Sequence, residues 1–312
     1  MRIAVWAIWC VGLILMSAQP VLAANQTMDL KRNGGWSEFY YRYPTYAGQW
    51  QELRFMLNTR QLQAGAEQFT GFQKNEMQDY IYRGLVAYAR SMPQARISID
   101  RIGDSLSFSA SAGDEATAQE VIALLKKQGE VLENEFLAQK YYIKDTTDRY
   151  YLPDHLRITH DYTGPMRNVA RAIADQSRAA SMRDVADAAL NFVQAIPYDR
   201  LESRATSNGA GFATPFGLLA QNRGDCDTKT VALAAMLRGL YPKLPMILVF
   251  TDQHAFVGIQ VPSASGDRIL TIGRRVYVLA EPAGPALLPL GRIGDHSNAD
   301  LDRNYFSYVE IP

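Results

Sequence analysis

The pattern of the chain is that of an α+β protein in two domains, and three features of the sequence support this. In the first half the patterned segments run strand, helix, strand, strand, helix, an order that fits a small α+β unit. In the second half an apolar helix at 231–240 comes ahead of strand-like segments at 255–261 and 275–280. Between the halves, residues 145–164 are irregular and rich in Tyr, Asp and Thr, which puts a boundary at 160/161. The expected division is therefore a leader at 1–24, an N-terminal α+β domain at 25–160 and a second domain at 161–312.

Composition agrees with a globular chain: 312 residues, 47% hydrophobic and 21% charged, enough to bury a sizeable core without disulfide staples. Lys+Arg and Asp+Glu are both 32, so no net field draws the protein to nucleic acid or to an anionic membrane. Nucleic acid is not an expected partner.

The first element is a leader. Arg2 precedes an apolar run from Ile3 to Met16, 14 residues long, short of the roughly 20 that a spanning helix needs. Pro20 and the small-residue tail Val21-Leu22-Ala23-Ala24 follow, the layout of a secretory signal peptide cut near Ala23 or Ala24. The alternative is an inner-membrane anchor formed by residues 3–16. Cys10 lies inside the apolar run, so no lipid-anchor cysteine stands at the cleavage site. The expected location is periplasmic or secreted, with Cys226 the one cysteine left after cleavage.

Residues 36–50 crowd Trp36, Phe39, Tyr40, Tyr41, Tyr43, Tyr46 and Trp50 together, best read as core aromatics. Glu52–Asn58 alternates as a strand. Gln73–Ser91 spaces Met77, Tyr80, Ile81, Leu85 and Tyr88 as a helix does. Ala95–Arg101 and Ser105–Ser111 pair across Ile102-Gly103-Asp104. Gly113-Asp114 opens a long helix to about Gln139, with Val121, Leu125, Leu132 and Phe136 along one side. Pro165 suits the first turn of a helix reaching about Gln176, and Met182–Ala195 is a second helix. Ser203–Thr214, with Asn208-Gly209-Ala210-Gly211, has the composition of a loop that can move.

The chemistry concentrates after that loop. Gly224-Asp225-Cys226-Asp227-Thr228-Lys229 leads into a helix whose Leu233, Met236, Leu237 and Leu240 share one face. Asp225 suits the N-cap, which puts Cys226 in the first turn. There the unpaired N–H groups and the helix dipole favour thiolate over thiol. Asp225 and Asp227 oppose that effect, so an ion pair near neutral pH requires a histidine.

Four histidines are available: His155, His160, His254 and His296. His254 opens the alternating segment Ala255–Val261, and a rigid strand holds a base in position. His155 and His160 fall in the linker and His296 in a polar tail, which makes them weaker candidates. The strand at 275–280 ends at Glu281-Pro282 and delivers a carboxylate able to accept from an imidazole N–H and fix its tautomer. Cys226, His254 and Glu281 are thus the candidate nucleophile, base and orienting acid. Singly, each has a plainer use as a buried helix-start thiol, a strand-opening residue or a strand terminator. Their order along the chain is what points to a site.

Gly224-Asp225-Cys226-Asp227 and the helix after it resemble the nucleophile motif of the transglutaminase-like superfamily, including bacterial transglutaminase-like cysteine proteinases. His254-Ala255-Phe256-Val257 is similar to that superfamily's His-Ala-Trp/Phe-Val strand. Phe192–Tyr198, Thr214-Pro215, Leu218-Leu219 and Tyr277–Pro282 also match, so the resemblance covers about 165–290. It implies a papain/transglutaminase-like core in which a helix-borne Cys packs on an antiparallel sheet. The third member departs from the pattern: Asp is commoner there, and this chain has Glu281. By analogy with papain-like sites, Gln221 joins the Cys226 backbone N–H as an oxyanion donor.

The expected function is an exported cysteine hydrolase, a peptidase or amidase forming an acyl-enzyme on Cys226 from a peptide or protein substrate. The alternatives are a protein-glutamine acyltransferase and a non-catalytic periplasmic binding or assembly factor with a cell-envelope partner. One remaining cysteine leaves no zinc spacing, and Asp225, Asp227 and Asp252 form no recognisable calcium loop. No P-loop is present. Neither a metal nor a cofactor is expected.

Overall fold

A computed structural model describes residues 26–312 apart from 104, 146, 148, 149, 206, 252 and 253. The expected leader at 1–24 lies outside the described residues. The chain opens with a three-stranded antiparallel meander, β1 (Thr27–Asn33), β2 (Trp36–Pro44) and β3 (Trp50–Asn58). The short helix α1 (Thr59–Ala66) follows directly because the Asn58 side chain accepts from the Gln61 N–H and caps it.

Helix α2 (Lys74–Ala89), the hairpin β4 (Ala95–Ile102) and β5 (Ser105–Ala112), and helix α3 (Glu115–Gln139) come next. These agree closely with the sequence pattern. A small two-stranded sheet, β6 (Tyr142–Lys144) and β7 (Tyr151–Pro153), leads into helix α4 (His155–Ser177).

Helix α4 departs from expectation. It starts ten residues ahead of Pro165, because Asp154 accepts from the Arg157 N–H and caps it there. Pro165 is an interior residue of the helix, where it forgoes one backbone bond. Burial of Ile158, Tyr162, Met166, Val169, Ala170 and Ile173 along the same helix outweighs that loss.

Helices α5 (Met182–Ala195), α6 (Pro215–Gln221) and α7 (Cys226–Leu240) precede strands β8 (Met246–Phe250), β9 (Ala255–Ile259), β10 (Ile269–Ile272) and β11 (Arg275–Ala280). Helix α8 (Asp295–Asp302) and strand β12 (Ser307–Ile311) complete the chain. The last five strands form one antiparallel sheet in the order β10-β11-β9-β8-β12. The protein is therefore mixed α+β with antiparallel sheets.

The main core runs across the boundary expected at 160/161, which falls inside α4. Phe39, Tyr41 and Phe55 of the first sheet join Phe192 of α5, Val169 of α4, Met236 of α7 and Val257 of β9 in one cluster. Tyr41 meets Phe192 edge to face at 5.0 Å, so Phe39, Tyr41 and Tyr43 of the aromatic stretch serve as core, whereas Trp36, Tyr46 and Trp50 are exposed. A second cluster lies among α2, β4, β5 and α3, where Leu85, Met92, Val121, Leu125 and Leu132 bury one another, while Met77, Phe136 and Leu137 of the same helices join the main core. On the far face of the five-stranded sheet, Ile247, Val249, Phe256, Tyr277 and Leu279 pack with Ile293 and Leu301. The sheet is thus covered on both faces, with α7 on one of them. Among the described residues no helix is long and apolar enough to cross a membrane.

Candidate active site

Cys226 is the first residue of α7, and three local devices put it there. Asn222 takes a left-handed conformation, φ 52°, which turns the chain sharply out of α6. Gly224 passes so close to the next helix turn that a Cβ would lie 2.6 Å from Leu218 Cδ1 and 2.8 Å from Thr228 Cγ2. A larger residue there would have to displace the Leu218 and Thr228 side chains. Asp225 then caps α7, its carboxylate accepting from the Thr228 N–H at 3.0 Å.

The first two turns of α7 are fastened to their surroundings. Thr228 Oγ1 accepts from the Ala213 N–H at 2.8 Å, and Thr230 Oγ1 donates to the Ala255 carbonyl at 2.9 Å. The Ala255 N–H in turn donates to the Cys226 sulfur. Helix α7 and the first residue of β9 are therefore joined through both backbone polar groups of Ala255. Lys229, fully buried, reaches the Ile196 carbonyl and, at 2.9 Å, the Ala283 carbonyl. It ties α7 to the end of α5 and to the segment just after Glu281.

His254 immediately precedes Ala255, at the end of the connection from β8. Its carbonyl accepts from the Thr251 N–H at 2.8 Å and its own N–H donates to Thr251 Oγ1 at 3.2 Å. Antiparallel pairing of β11 with β9 sets Ala280 opposite Val257, and this carries Glu281 toward His254. Glu281 Oε1 lies 4.0 Å from His254 Nδ1, while Oε2 accepts from the Gly294 N–H at 2.8 Å. The Gln194 amide donates to the Glu281 carbonyl at 2.8 Å and fixes the backbone there. His254 Nδ1 is buried with no hydrogen-bond partner among the described residues. A closure of about 1 Å would bring it into hydrogen-bond range of Glu281.

The electrostatics of the sulfur reverse the expectation of a thiolate at the helix start. Burial pushes the Cys226 thiol well above its ordinary value, and the charges of Asp227 and Asp225 add to this. The thiol donates to Asp227 Oδ1 at 3.3 Å, which also holds the proton in place; the Ala255 N–H acts the other way. Burial likewise raises Asp225 to about 7, with Asp227 contributing. Desolvation opposes charge on Asp227 too, but the hydrogen bond and charge of His155 and the hydrogen bond from Cys226 outweigh it and hold that carboxyl below its usual range.

His155 is the residue that the sequence pattern passed over. As the first residue of α4 it points Nε2 at Asp227 Oδ2, 3.1 Å away, with its side chain only 11% exposed. Its ring packs against Phe212 at 5.4 Å and Phe250 at 5.1 Å. The signal was present in Asp154 as a helix cap, but the assignment of 145–164 to a linker hid it. His160, one turn further on, has a side chain 83% exposed and pairs with Asp161 instead.

Gln221, the expected oxyanion donor, closes α6, and its Oε1 is buried without a hydrogen-bond partner among the described residues. Tyr198, whose hydroxyl feels the charges of Cys226 and Asp225, borders the same region; its backbone bridges Gly224. The loop at 207–213 is stitched down more firmly than its composition indicates. Asn208 donates to the Phe69 and Phe212 carbonyls at 3.1 and 2.9 Å, and Phe212 is buried. Ligand atoms of Asp225, Cys226 and Asp227 lie within 4.8 Å of one another, yet Thr228, the thiol and His155 already engage the two carboxylates. Asp252 lies outside the described residues.

The site therefore brings a thiol, a histidine–carboxylate pair on strands and a second histidine–carboxylate pair on helices into one region. Comparison with protein-family models, with curated proteins and with solved structures returns no match for this chain.

Proposed function

We propose that the protein is an exported cysteine hydrolase, a peptidase or amidase of transglutaminase-like, papain-like type, with Cys226 as nucleophile, His254 as general base and Glu281 as its orienting acid. One observation supports this reading above the others. The Cys226 sulfur receives the N–H of Ala255, the residue after His254, while Glu281 stands 4.0 Å behind the His254 ring. A helix start, a strand start and a strand end thus supply the three residue types that acyl transfer needs.

In the proposed reaction the resting thiol gives its proton to His254 as the sulfur attacks a substrate amide carbonyl. The C–S bond forms and the carbonyl electron pair moves to oxygen, where the Cys226 backbone N–H and the Gln221 amide would receive it. Collapse breaks the C–N bond, and the leaving amine takes the proton from His254. Water, deprotonated by His254, then cleaves the thioester and restores the thiol. Glu281 accepts from His254 Nδ1–H throughout and favours the imidazolium that forms in each half-reaction. The leader pattern at 1–24 supports export to the periplasm or beyond, where a peptide or a cell-envelope protein is the substrate.

A specific observation favours a second reading, a binding or assembly factor that keeps the fold without turnover. The thiol proton is engaged by Asp227, and burial disfavours the thiolate. Mass spectrometry of the intact protein after incubation with cell-envelope extract separates the two. The hydrolase reading expects an adduct at Cys226 that decays in water and is absent from Cys226→Ala and His254→Ala. Absence of any adduct from every extract would overturn it in favour of the binding role. Incorporation of a labelled amine into protein glutamines, without hydrolysed product, would overturn it in favour of an acyltransferase.

A further inference from the structure

Two histidine–carboxylate pairs border Cys226, and the reaction described above uses only one. The unused pair is His155 and Asp227. One Asp227 oxygen receives the thiol proton at 3.3 Å and the other meets His155 Nε2 at 3.1 Å. His155 is not a surface residue caught in passing. It starts α4, the helix packed most extensively on α7, and two aromatic rings hold its imidazole in place. The carboxylate between them has its two oxygens directed to two different partners, so its orientation depends on both.

We propose that His155 is a positioning residue for Cys226. By donating a hydrogen bond to Asp227 Oδ2 it fixes that carboxylate with Oδ1 against the sulfur and draws charge away from it. Its consequence is that the thiol is easier to ionise with His155 present than without it. An Asp227 carboxylate lacking its donor presents its full charge to the sulfur, and a like charge at that range disfavours thiolate. The other groups near the sulfur act alongside this pair: Asp225 from the α7 cap, the Ala255 N–H from the start of β9, and Tyr198 from the segment after α5, while His254, with Glu281 4.0 Å from its ring, precedes Ala255 in the chain. Lys229 sits one turn further into α7 and acts on Asp225. Among the described residues, Asp227 links His155 to the thiol.

The catalytic meaning of this inference rests on Cys226 being a nucleophile, but its test reads the thiol directly and needs no substrate. The rate of iodoacetamide alkylation of Cys226 is measured against pH in wild type, His155→Leu and His155→Gln. Leucine keeps the apolar bulk between Phe212 and Phe250 and removes the donor; glutamine keeps an N–H near the position of Nε2. His155→Leu should move the alkylation midpoint up by about one pH unit, which is about tenfold slower labelling below the midpoint. His155→Gln should restore the wild-type midpoint. In an Asp227→Asn background, His155→Leu should have no effect on the midpoint, because the charge it exposes is gone.

A wild-type midpoint in folded His155→Leu would overturn the proposal. So would an upward shift that persists unchanged in the Asp227→Asn background. If His155→Leu fails to fold, comparison of His155→Gln with His155→Asn decides. Asparagine is too short to reach Oδ2 and should behave as the donor-less variant, and equal midpoints for the two would overturn the assignment. Failure of the hydrolase reading appears separately, as intact labelling behaviour with no acyl adduct.

Discussion

Helices α7 and α3 are built on opposite principles, and the contrast explains where this chain places its chemistry. Helix α3 is 25 residues long and buries five of them, Val121, Leu125, Leu132, Phe136 and Leu137, along one side. Helix α7 is 15 residues long and buries twelve in succession, Thr228 to Gly239, with α4, α5, α6, β8 and β9 around it. A stripe suffices to dock α3 on its neighbours. A helix enclosed on every side must also satisfy its polar residues, and Thr228, Lys229 and Thr230 each have a backbone partner. The difference teaches that the thiol at the start of α7 is held by the whole core, whereas α3 meets that core only at its C-terminal end, through Phe136 and Leu137, and otherwise packs in a satellite.

The sharpest way to break that contrast is to make the same substitution at a lysine in each helix. Lys229→Met keeps the chain length but leaves the Ile196 and Ala283 carbonyls without their donor and Asp225 without a nearby cation. It should cost roughly 2–4 kcal/mol, as unmet buried acceptors do, offset in part by no longer burying an amine that desolvation has pushed down to about 7. Lys127→Met, on the exposed side of α3, should stay within about 0.5 kcal/mol of wild type. Urea midpoints compare the two, and equal losses would remove the basis for treating α7 as a separate kind of element.

How much of this was legible in the sequence follows the same division. Helices α3 and α5 and strand β11 match their expected bounds almost residue for residue: α3 carries a one-sided apolar stripe, α5 is bounded by the Ser181 cap and by Ile196-Pro197, and β11 is an apolar run that ends at Glu281-Pro282. Strand β8, Met246–Phe250, went unread because it is apolar throughout: Met246 and Leu248 serve one core while Ile247 and Val249 serve the other. Strand β1 went unread for the opposite reason, as a mostly polar strand at the edge of the first sheet. Cys226, His254 and Glu281 could be picked out because each stands at the end of a patterned element. His155 could not, since its link to the thiol runs through Asp227 and depends on α4 lying against α7. Packing between helices distant in sequence leaves no local pattern.

The caps of the two helices extend the contrast to pH. Both are aspartates that accept from an N–H in the first turn, Asp225 from Thr228 and Asp114 from Thr117. Asp225 is buried and raised to about 7, so the folded state holds its proton more tightly than the unfolded chain. Its contribution is fully present below the ordinary carboxylate value and is lost as pH rises toward 7. Asp114 is exposed and lowered by its bonds from Thr117, so its contribution is present above the ordinary value and lost as pH falls. Asparagine also caps helices, so it removes the charge and keeps the cap. Asp225→Asn should therefore gain on wild type between pH 4 and 7, by on the order of 2 kcal/mol. Asp114→Asn should sit below wild type by a near-constant margin over the same range and rejoin it as pH falls below the ordinary carboxylate value. Parallel slopes in urea midpoint against pH would show that burial of the α7 cap has no energetic consequence.

The smallest expected effects come from a glycine in each helix, and here the same substitution should change sign. Gly239 lies where α7 crosses α4, and an added Cβ would meet the Thr163 carbonyl oxygen at 2.7 Å and Arg167 Cα at 3.1 Å. Both are backbone atoms of a packed helix and cannot turn aside as a side chain would. Gly239→Ala must therefore push α7 and α4 apart, at a cost of about 1–2 kcal/mol. Gly129 in α3 has only Leu85 Cδ1 near the added carbon, at 4.0 Å, an ordinary contact. There the substitution mainly reduces the freedom of the unfolded chain, so Gly129→Ala should stabilise by about 0.5–1 kcal/mol. Thermal midpoints of the two variants decide it. A gain at both positions would mean that α7 and α4 have slack at their crossing, and with slack there the first turn of α7 would not hold Cys226 and Asp227 at fixed distances from His155.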